Sequence, residues 1–192
     1  MMIVALRNFI CVVGLIFIMP ILLFIAILII LEDGFPPFFI QERLGLNKKI
    51  FKIYKIRTMK NDTPQLGTHE VKNYFQLRSG AFARGLKLDE FPQLINVLRG
   101  EINLVGPRPG LVTQEELEIA RSKNKIFDIK PGITGLSQIL GFDMSDPAKL
   151  SEIDKIYMVN CSTKLDGMIL AGTFFKFPRK YICSMLKIQP NN

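Results

Sequence analysis

An acidic pair, Asp89-Glu90, is the first candidate for chemistry in this sequence of 192 residues. The apolar residues after it follow helical spacing and predict a short helix from about Glu90 to Arg99, with Pro92 in its first turn. A carboxylate at the positive end of a helix stays ionised and lies where phosphate groups bind. Asp89 could therefore coordinate Mg²⁺ or attack phosphorus as a nucleophile, with Glu90 sharing metal binding or proton transfer. The alternative is that Asp89 serves only as the N-cap of this helix.

Cations suited to a phosphate ligand come from two other segments. The prolines of Gly106-Pro107-Arg108-Pro109-Gly110 fix two backbone φ angles, so Arg108 is presented from a stiff loop. A guanidinium held in this way can bind phosphate through two parallel hydrogen bonds, although it could also be an incidental surface charge on a structural turn. Lys55 and Arg57, in KIYKIRTM, could belong to a diphosphate pocket or be solvated charges that face anionic lipid.

The composition narrows the class of protein. There are 25 Lys and Arg against 17 Asp and Glu, which gives a net charge of +8, and 48% of the residues are hydrophobic. Such a chain is too apolar for a disordered basic tail, and with 22% charged residues it is too polar for a polytopic membrane protein. The single histidine, His69, excludes a His-rich zinc site, and the three widely spaced cysteines predict no disulfide framework. Catalysis is therefore expected to use carboxylates, Lys and Arg.

One segment is apolar enough to enter a membrane. Residues 9–31 form a run of 23 residues without a charged side chain, enough for a helix to cross a hydrocarbon core of about 30 Å. Pro20 lies at the centre, where it removes a backbone donor. The product is either a kinked helix that spans the bilayer or a broken helix that enters and leaves by one face. Because Lys and Arg follow this segment in excess, the remainder of the chain is expected on the cytoplasmic side.

The later segments predict a mostly helical domain. FFIQERLGLNKKIFKIYKIRTM, with Gly-Leu-Asn in its middle, predicts a short hairpin. Thr113-x-x-Glu116 predicts a capping box at the start of a charged surface helix, and Asp146-Pro147 opens another helix, on which Asp154 lies beside the apolar face. The last stretch, LDGMILAGTFFKFPRKYICSMLK, mixes apolar and basic residues and has a proline break, which predicts helices lying in the membrane interface.

The chain resembles the bacterial sugar transferases of the monotopic phosphoglycosyl transferase family over roughly residues 9–166. The segments that carry the resemblance occur in the family's order. They are the membrane segment with its proline, QERLGLNKKIFKIYKIRTM, KLDEFPQLINVLRGEINLVGPRP, KPGITGLSQILG and IDKIYMVNCSTKLD.

This resemblance implies an architecture and a location. The fold is expected to be α+β and mostly helical, with little sheet. Residues 1–33 would form a membrane anchor that is re-entrant at Pro20, and residues 34–192 a small cytosolic catalytic domain with interfacial C-terminal helices. The expected location is the bacterial inner membrane, with the catalytic domain facing the cytosol.

The resemblance also implies an activity. Such enzymes use Mg²⁺ and move a sugar phosphate from a UDP-sugar to polyprenyl phosphate, such as undecaprenyl phosphate, with release of UMP. This is the first membrane step in making a glycoconjugate such as O-antigen, capsule or a glycoprotein glycan. The nucleophile, which would carry the phosphosugar and also contact the metal, maps onto Asp89, with Glu90 beside it. The predicted substrate-binding set is Lys55, Arg57, Arg108 and Asp154.

Two rival functions remain at this stage. A non-catalytic basic protein could dock on anionic lipid or nucleic acid, but here the Lys and Arg residues alternate with Leu, Ile and Phe, which is not typical of a nucleic-acid surface. An inactive family member could act as a scaffold, but Asp89, Glu90 and Arg108 are all present. We therefore expect membrane lipid and the two substrates as partners and no nucleic acid, and we leave homodimerisation open.

Overall fold

The computed structural model describes residues 2–63 and 75–190 of the chain. These residues are mostly helical with little sheet, which confirms the expected fold class at that level. The single histidine, His69, lies outside the described residues.

The described elements follow one another in a simple order. The helices are α1 (Met2–Asp33), α2 (Arg78–Gly85), α3 (Leu94–Leu98), α4 (Glu115–Lys123), α5 (Leu136–Ile139), α6 (Pro147–Asn160), α7 (Thr163–Phe174) and α8 (Lys176–Leu186). The strands are β1 (Phe38–Leu44), β2 (Ile50–Ile56), β3 (Asn103–Val105) and β4 (Gly132–Thr134). Short 3-10 turns occupy Leu46–Lys48, Leu88–Gln93 and Ile126–Asp128.

The chain divides into two compact units. The first comprises residues 1–42 and 52–100, and the second comprises residues 43–51 and 101–192. The hairpin of β1 and β2 thus contributes its stem to the first unit and its tip to the second. The predicted hairpin is confirmed, and its turn lies at the predicted Gly-Leu-Asn, where Asn47 adopts the left-handed φ of 52°.

The first unit is built against the long apolar helix. One side of α1 packs on α2 and α3, and the opposite side leaves large apolar residues such as Phe17 and Leu31 exposed. This division follows from a helix that is apolar on all faces, because only one face can be covered by the rest of the unit. The buried apolar residues of the first unit's core are Leu22, Ile25, Ile29, Ile56, Leu77 and Ala83.

The helix α1 has the properties of a membrane segment. Its part from Val4 to Asp33 is long and apolar enough to cross a bilayer, judged by length and composition. Pro20 lies inside the helix. Whether the helix spans the bilayer or re-enters it stays a prediction.

The second unit surrounds a two-stranded parallel pair that the sequence patterns did not reveal. Strand β3 pairs with β4 in the register Asn103 to Gly132 and Val105 to Thr134. Helices α4 to α8 enclose a core whose fully buried members include Leu136, Leu165 and Ile169. Each strand has only three residues, which is too short for alternation to be visible in the sequence.

Of two predicted helix starts, the structure confirms one and contradicts the other. The start of α6 is confirmed, since Asp146 is its N-cap and accepts a hydrogen bond from the Lys149 backbone N–H at 3.0 Å. The predicted capping box of α4 is wrong. The N-cap position is Gln114, whose side chain accepts a hydrogen bond from the Leu111 backbone N–H at 2.9 Å, so Thr113 lies before the cap.

The C-terminal helices leave an aromatic surface exposed. The break between α7 and α8 falls at Phe175, not at the predicted Pro178, which lies in the first turn of α8, where the missing N–H has no helical partner to lose. Several large apolar side chains around this break point outward. They are Phe174, Phe175, Phe177, Tyr181 and Met185.

Candidate active site

The acidic pair lies in the 3-10 turn that precedes α3. Asp89 is buried, with 7% of its surface exposed, and Glu90 is partly buried. Lys87 occupies the N-cap position of this turn in the left-handed region, so the alternative that Asp89 is the N-cap is wrong. The helix predicted from Glu90 to Arg99 is divided between this turn and the shorter α3. Pro92 lies inside the 3-10 turn and before the first residue of α3, so its missing N–H removes no hydrogen bond from α3.

Lys55 lies beside the acidic pair. It projects from β2, and its Nζ is 3.4 Å from Glu90 Oε1, with both side chains largely shielded from solvent. These residues are 35 positions apart in sequence, so the fold of the first unit brings them together. The result is a cation paired with the carboxylate that directly follows Asp89 in the chain, and carboxylates with a cation can accept a phosphoryl group and balance its charge.

Asn96 connects the strand that carries Lys55 to the helix that follows the acidic pair. Its side chain is fully buried, its Oδ1 accepts from the Tyr54 backbone N–H at 3.2 Å, and its Nδ2 donates to the Lys52 carbonyl at 2.7 Å. The amide thus pairs with β2 as a neighbouring strand would. Sequence reasoning missed this residue, although an amide among the apolar residues of a short helix is a signal that could have found it.

Arg57 is held at the end of α1. Its Nη1 is 2.8 Å from Asp33 Oδ2, its Nη2 donates to the Gly34 carbonyl at 2.6 Å, and 6% of its surface is exposed. These bonds join the end of β2 to the chain that leaves α1. The predicted contact of Arg57 with substrate stays a prediction, and such a contact would have to share or replace these bonds.

A second carboxylate at the end of α1 fixes the start of α2. Glu32 accepts hydrogen bonds from the backbone N–H groups of Arg78 at 2.7 Å and Ser79 at 3.0 Å, and from the Ser79 hydroxyl at 2.6 Å. The first N–H groups of a helix need such acceptors. Glu32 therefore ties α1 to α2, the helix that precedes the acidic pair.

In the second unit, Arg108 lies on a loop that is held by the strand pair. Gly106 donates to the Thr134 carbonyl and Gly132 donates to the Pro107 carbonyl, both at 2.9 Å. The two glycine backbones approach so closely that a Cβ on Gly132 would collide with Gly106. The loop is therefore rigid for a reason beyond its two prolines.

Two arginines, Arg121 buried and Arg43 partly buried, bind the backbone carbonyls of this loop. Arg43 donates to the Pro109 carbonyl at 3.0 Å, and Arg121 donates to the Arg108 carbonyl at 2.7 Å. Burial and the positive charge of Arg108 lower the pKa of Arg43 to about 9.

Asp154 lies inside the second unit with 1% of its surface exposed. Its Oδ2 accepts from Arg121 Nη2 at 2.6 Å and Nε at 3.1 Å, and its Oδ1 accepts from the Ser137 hydroxyl at 3.0 Å. Burial raises the pKa of this carboxyl, and the bonds from Arg121 and Ser137 oppose the shift. Arg121 is a further residue that sequence reasoning missed. The surface helix predicted there buries it, with 2% of its surface exposed.

A tyrosine supports the strand that enters the loop. The Tyr157 hydroxyl donates to Asp166 Oδ1 at 2.9 Å and lies 3.3 Å from the Val105 carbonyl. Burial, together with the Asp166 carboxylate, raises the pKa of Tyr157, and burial also raises the pKa of Asp166.

The predicted site residues are thus distributed over both units. Lys55, Arg57, Asp89 and Glu90 belong to the first unit, whereas Arg108 and Asp154 belong to the second. Lys55 and Glu90 are brought into contact, and Arg108 and Asp154 are connected through Arg121.

The acidic pair also offers donors for a metal. No group of three His, Cys, Asp or Glu side chains that could hold a metal occurs within residues 2–63 and 75–190. Mg²⁺ is usually bound by one or two carboxylates together with water and substrate phosphates. The donor set of Asp89 and Glu90 fits a Mg²⁺ ion that is bound mostly through a diphosphate substrate.

Comparisons with known proteins agree with the resemblance seen in the sequence. A family model described as bacterial sugar transferase matches residues 3–180. The uncharacterized sugar transferase EpsL of Bacillus subtilis is 39% identical over 156 residues, which are 81% of this chain and 77% of that protein.

Two relatives with named activities are similar over less of their own length. The UDP-N-acetylgalactosamine-undecaprenyl-phosphate N-acetylgalactosaminephosphotransferase of Aeromonas hydrophila is 36% identical over 80% of this chain and 38% of its own. The UDP-glucose:undecaprenyl-phosphate glucose-1-phosphate transferase of Klebsiella pneumoniae is 36% identical over 84% of this chain and 37% of its own. The chain thus spans well under half the length of these two proteins.

Proposed function

The chain belongs to the bacterial sugar transferase family, and on this basis we propose that it transfers a sugar phosphate from a UDP-sugar to undecaprenyl phosphate. UMP is the second product. The observation that carries the proposal is the contact of Lys55 with Glu90, the residue that follows Asp89 in the chain, in a partly buried place. The names of the Aeromonas and Klebsiella relatives support this substrate class.

The reaction proceeds in two displacements at one phosphorus atom. A carboxylate oxygen of Asp89 attacks the phosphorus that bears the sugar, and the bond from this phosphorus to the bridging oxygen breaks, so that UMP leaves with the bonding electrons. A phosphate oxygen of the lipid acceptor then attacks the same phosphorus, and the Asp89 carboxylate leaves. The product is a lipid-linked diphosphosugar. Neither step requires a histidine base, because both attacking groups are anions.

Charge balance supports the same substrate class. Both substrates are anions, and the transferred group develops charge on its oxygens as the P–O bond breaks. Lys55 supplies a cation in the first unit and Arg108 in the second. A phosphate bound at Arg108 would also favour the charged form of Arg43, whose pKa is lowered by burial and by Arg108 itself.

Magnesium dependence is part of the proposal. Asp89 and Glu90 are the residues that would hold the ion, and when bound it would neutralise charge on the diphosphate. With the ion bound, Asp89 would still be the group that carries the phosphosugar.

The protein is proposed to lie on the cytosolic face of the bacterial inner membrane. The exposed apolar side of α1 supports insertion, and Pro20 supports a re-entrant path because it removes a backbone donor near mid-membrane. The exposed aromatic residues around α8 alternate with Lys176, Lys180 and Lys187, which suits a helix that lies among lipid headgroups.

A turnover assay tests the proposed function. The full chain in detergent or nanodiscs is incubated with undecaprenyl phosphate, Mg²⁺ and one UDP-sugar at a time, and released UMP is measured. We expect turnover with at least one sugar, its loss in Asp89→Asn, and its retention in the matched control Asp128→Asn, whose carboxylate is exposed. Binding to anionic vesicles without UMP release from any UDP-sugar would favour the non-catalytic alternative.

A further inference from the structure

We propose that Arg121 and Asp154 are positioning residues that fix the orientation of Arg108. This inference rests on the proposed function, because it takes Arg108 to be a phosphate-binding residue. It gives Asp154 an action through Arg121 and Arg108 in place of a direct contact with substrate.

The geometry shows a guanidinium whose three nitrogens are all used. Nε and Nη2 of Arg121 bind the Asp154 carboxylate, at 3.1 and 2.6 Å, and Nη1 binds the Arg108 carbonyl at 2.7 Å. The remaining Asp154 oxygen accepts from Ser137. Because both members of the pair are at most 2% exposed, a substrate could reach the carboxylate only by breaking this arrangement.

The hydrogen bond from Arg121 to the Arg108 carbonyl restricts backbone rotation that the two prolines do not restrict. Pro107 and Pro109 fix their own φ angles and Pro109 restricts ψ of Arg108 to extended values, but φ of Arg108 is not fixed, so the peptide plane between Arg108 and Pro109 can still turn relative to Pro107. Arg121 holds the carbonyl of that plane, and Arg43 holds the next one. The direction in which the Arg108 side chain leaves the backbone is thereby set.

A neutral donor could also hold the Arg108 carbonyl, so the use of a charged pair, Arg121 and Asp154, needs a separate explanation. The planar fork of Arg121 makes two bonds to Asp154 and a third to the loop at the same time, which exceeds the two N–H donors of an amide and the single O–H of a hydroxyl. Asp154 removes the cost of a buried, uncompensated guanidinium. Buried ion pairs contribute little net stability, so the pair is better explained by the geometry that it imposes on the loop.

A double-mutant cycle tests the assignment. Arg121→Lys and Asp154→Asn are each made in the wild-type background and in Arg108→Ala, and kcat and KM are measured from UMP release. If the pair acts only through Arg108, each variant should lower kcat/KM by about tenfold in the wild-type background and by less than about twofold in Arg108→Ala. Losses that persist undiminished in Arg108→Ala would overturn the proposal and indicate direct contact or a general structural role.

A matched control separates positioning from stability. Leu150 lies on α6 one turn before Asp154 and is buried in the core of the second unit. Leu150→Ala should lower the melting temperature but reduce kcat/KM by the same factor in both backgrounds. A background-dependent effect of Leu150→Ala like that of Asp154→Asn would overturn the proposal, because the coupling would then report stability alone.

Hydrogen exchange gives a readout that does not depend on turnover. In the full-length protein, the backbone N–H groups of Gly106, Arg108, Gly110 and Leu111 should exchange faster in Arg121→Lys and Asp154→Asn than in Leu150→Ala. Equal exchange in all three variants would overturn the proposed hold on the loop. If the wild-type protein released no UMP from any UDP-sugar, the proposed function would fail, but this exchange experiment would still decide whether the pair holds the loop.

Discussion

Asn96 offers the sharpest test of how the first unit positions Lys55. Replacing it by Leu keeps the branched shape and the number of heavy atoms of the side chain and removes both hydrogen bonds to β2, at the Tyr54 N–H and the Lys52 carbonyl. Each such bond contributes about 0.5–1.5 kcal/mol net, so the free energy of unfolding should fall by about 1–3 kcal/mol. The burial of the apolar Leu side chain should recover little of this free energy, because the Tyr54 N–H and the Lys52 carbonyl both lose Asn96 as a partner.

The effect of this change on turnover follows from the position of Lys55 on the same strand. Once β2 is released from α3, Lys55 Nζ is no longer held at 3.4 Å from Glu90. Since a misplacement of about 1 Å can cost about 100-fold in rate, we expect kcat/KM of Asn96→Leu to fall by at least about tenfold. Thermal unfolding and UMP release of the same preparation measure the two effects.

Arg99→Met is the matched control for Asn96→Leu. Arg99 follows α3 directly and bonds the Tyr54 hydroxyl at 2.6 Å, so it contacts the side chain and not the backbone of β2. Its loss at the exposed surface should change stability by no more than about 0.5 kcal/mol and leave turnover unchanged. Normal turnover of Asn96→Leu, or an equal loss in Arg99→Met, would show that the bonds of Asn96 to β2 do not position Lys55.

Three further changes test other parts of the structure. Arg108→Lys should lower kcat/KM by about tenfold or more, because a point charge cannot replace a bidentate fork, and UMP release at wild-type rates would contradict a phosphate-binding role. Gly132→Ala should destabilise the protein by about 3 kcal/mol or more, since its Cβ collides with Gly106, whereas Gly167→Ala, with open space around its Cβ, should not; thermal unfolding compares the two. The raised pKa of Tyr157 means that its contribution to stability is complete below its ordinary pKa of 10.0 and is lost as pH rises above that value. Tyr157→Phe should therefore flatten the alkaline decline of the melting temperature, and an unchanged pH profile would show that this tyrosine does not cause the decline.

Elements with strong local signals were predictable from the sequence. The apolar helix α1, the hairpin with its Gly-Leu-Asn turn and the start of α6 at Asp146 each depend on neighbouring residues. The capping box at Thr113 failed because Gln114 formed a competing local bond with Leu111. Local sequence patterns cannot show which of two neighbouring polar side chains forms the hydrogen bond with a backbone N–H.

The supporting residues of the site were not predictable in the same way. Asn96 pairs with a strand 42 to 44 positions away, and Arg121 with a carboxylate 33 positions away. Such polar residues resemble surface residues in any local pattern, since only the tertiary fold decides their burial. The residues with chemical signatures, Lys55, Asp89, Glu90 and Arg108, were visible as candidates from residue type and spacing. Their roles stay predictions.

The covalent step on Asp89 is the central claim, and intact-protein and peptide mass spectrometry test it most directly. The full-length protein is incubated with Mg²⁺ and a UDP-sugar that supports turnover, without the lipid acceptor, and quenched in acid. We expect UMP in amounts comparable to the enzyme, together with a mass increase of one sugar phosphate on the peptide that contains Asp89. The adduct should disappear when undecaprenyl phosphate is added. Release of UMP only in the presence of acceptor, with no adduct at any time, would show that Asp89 does not carry the phosphosugar.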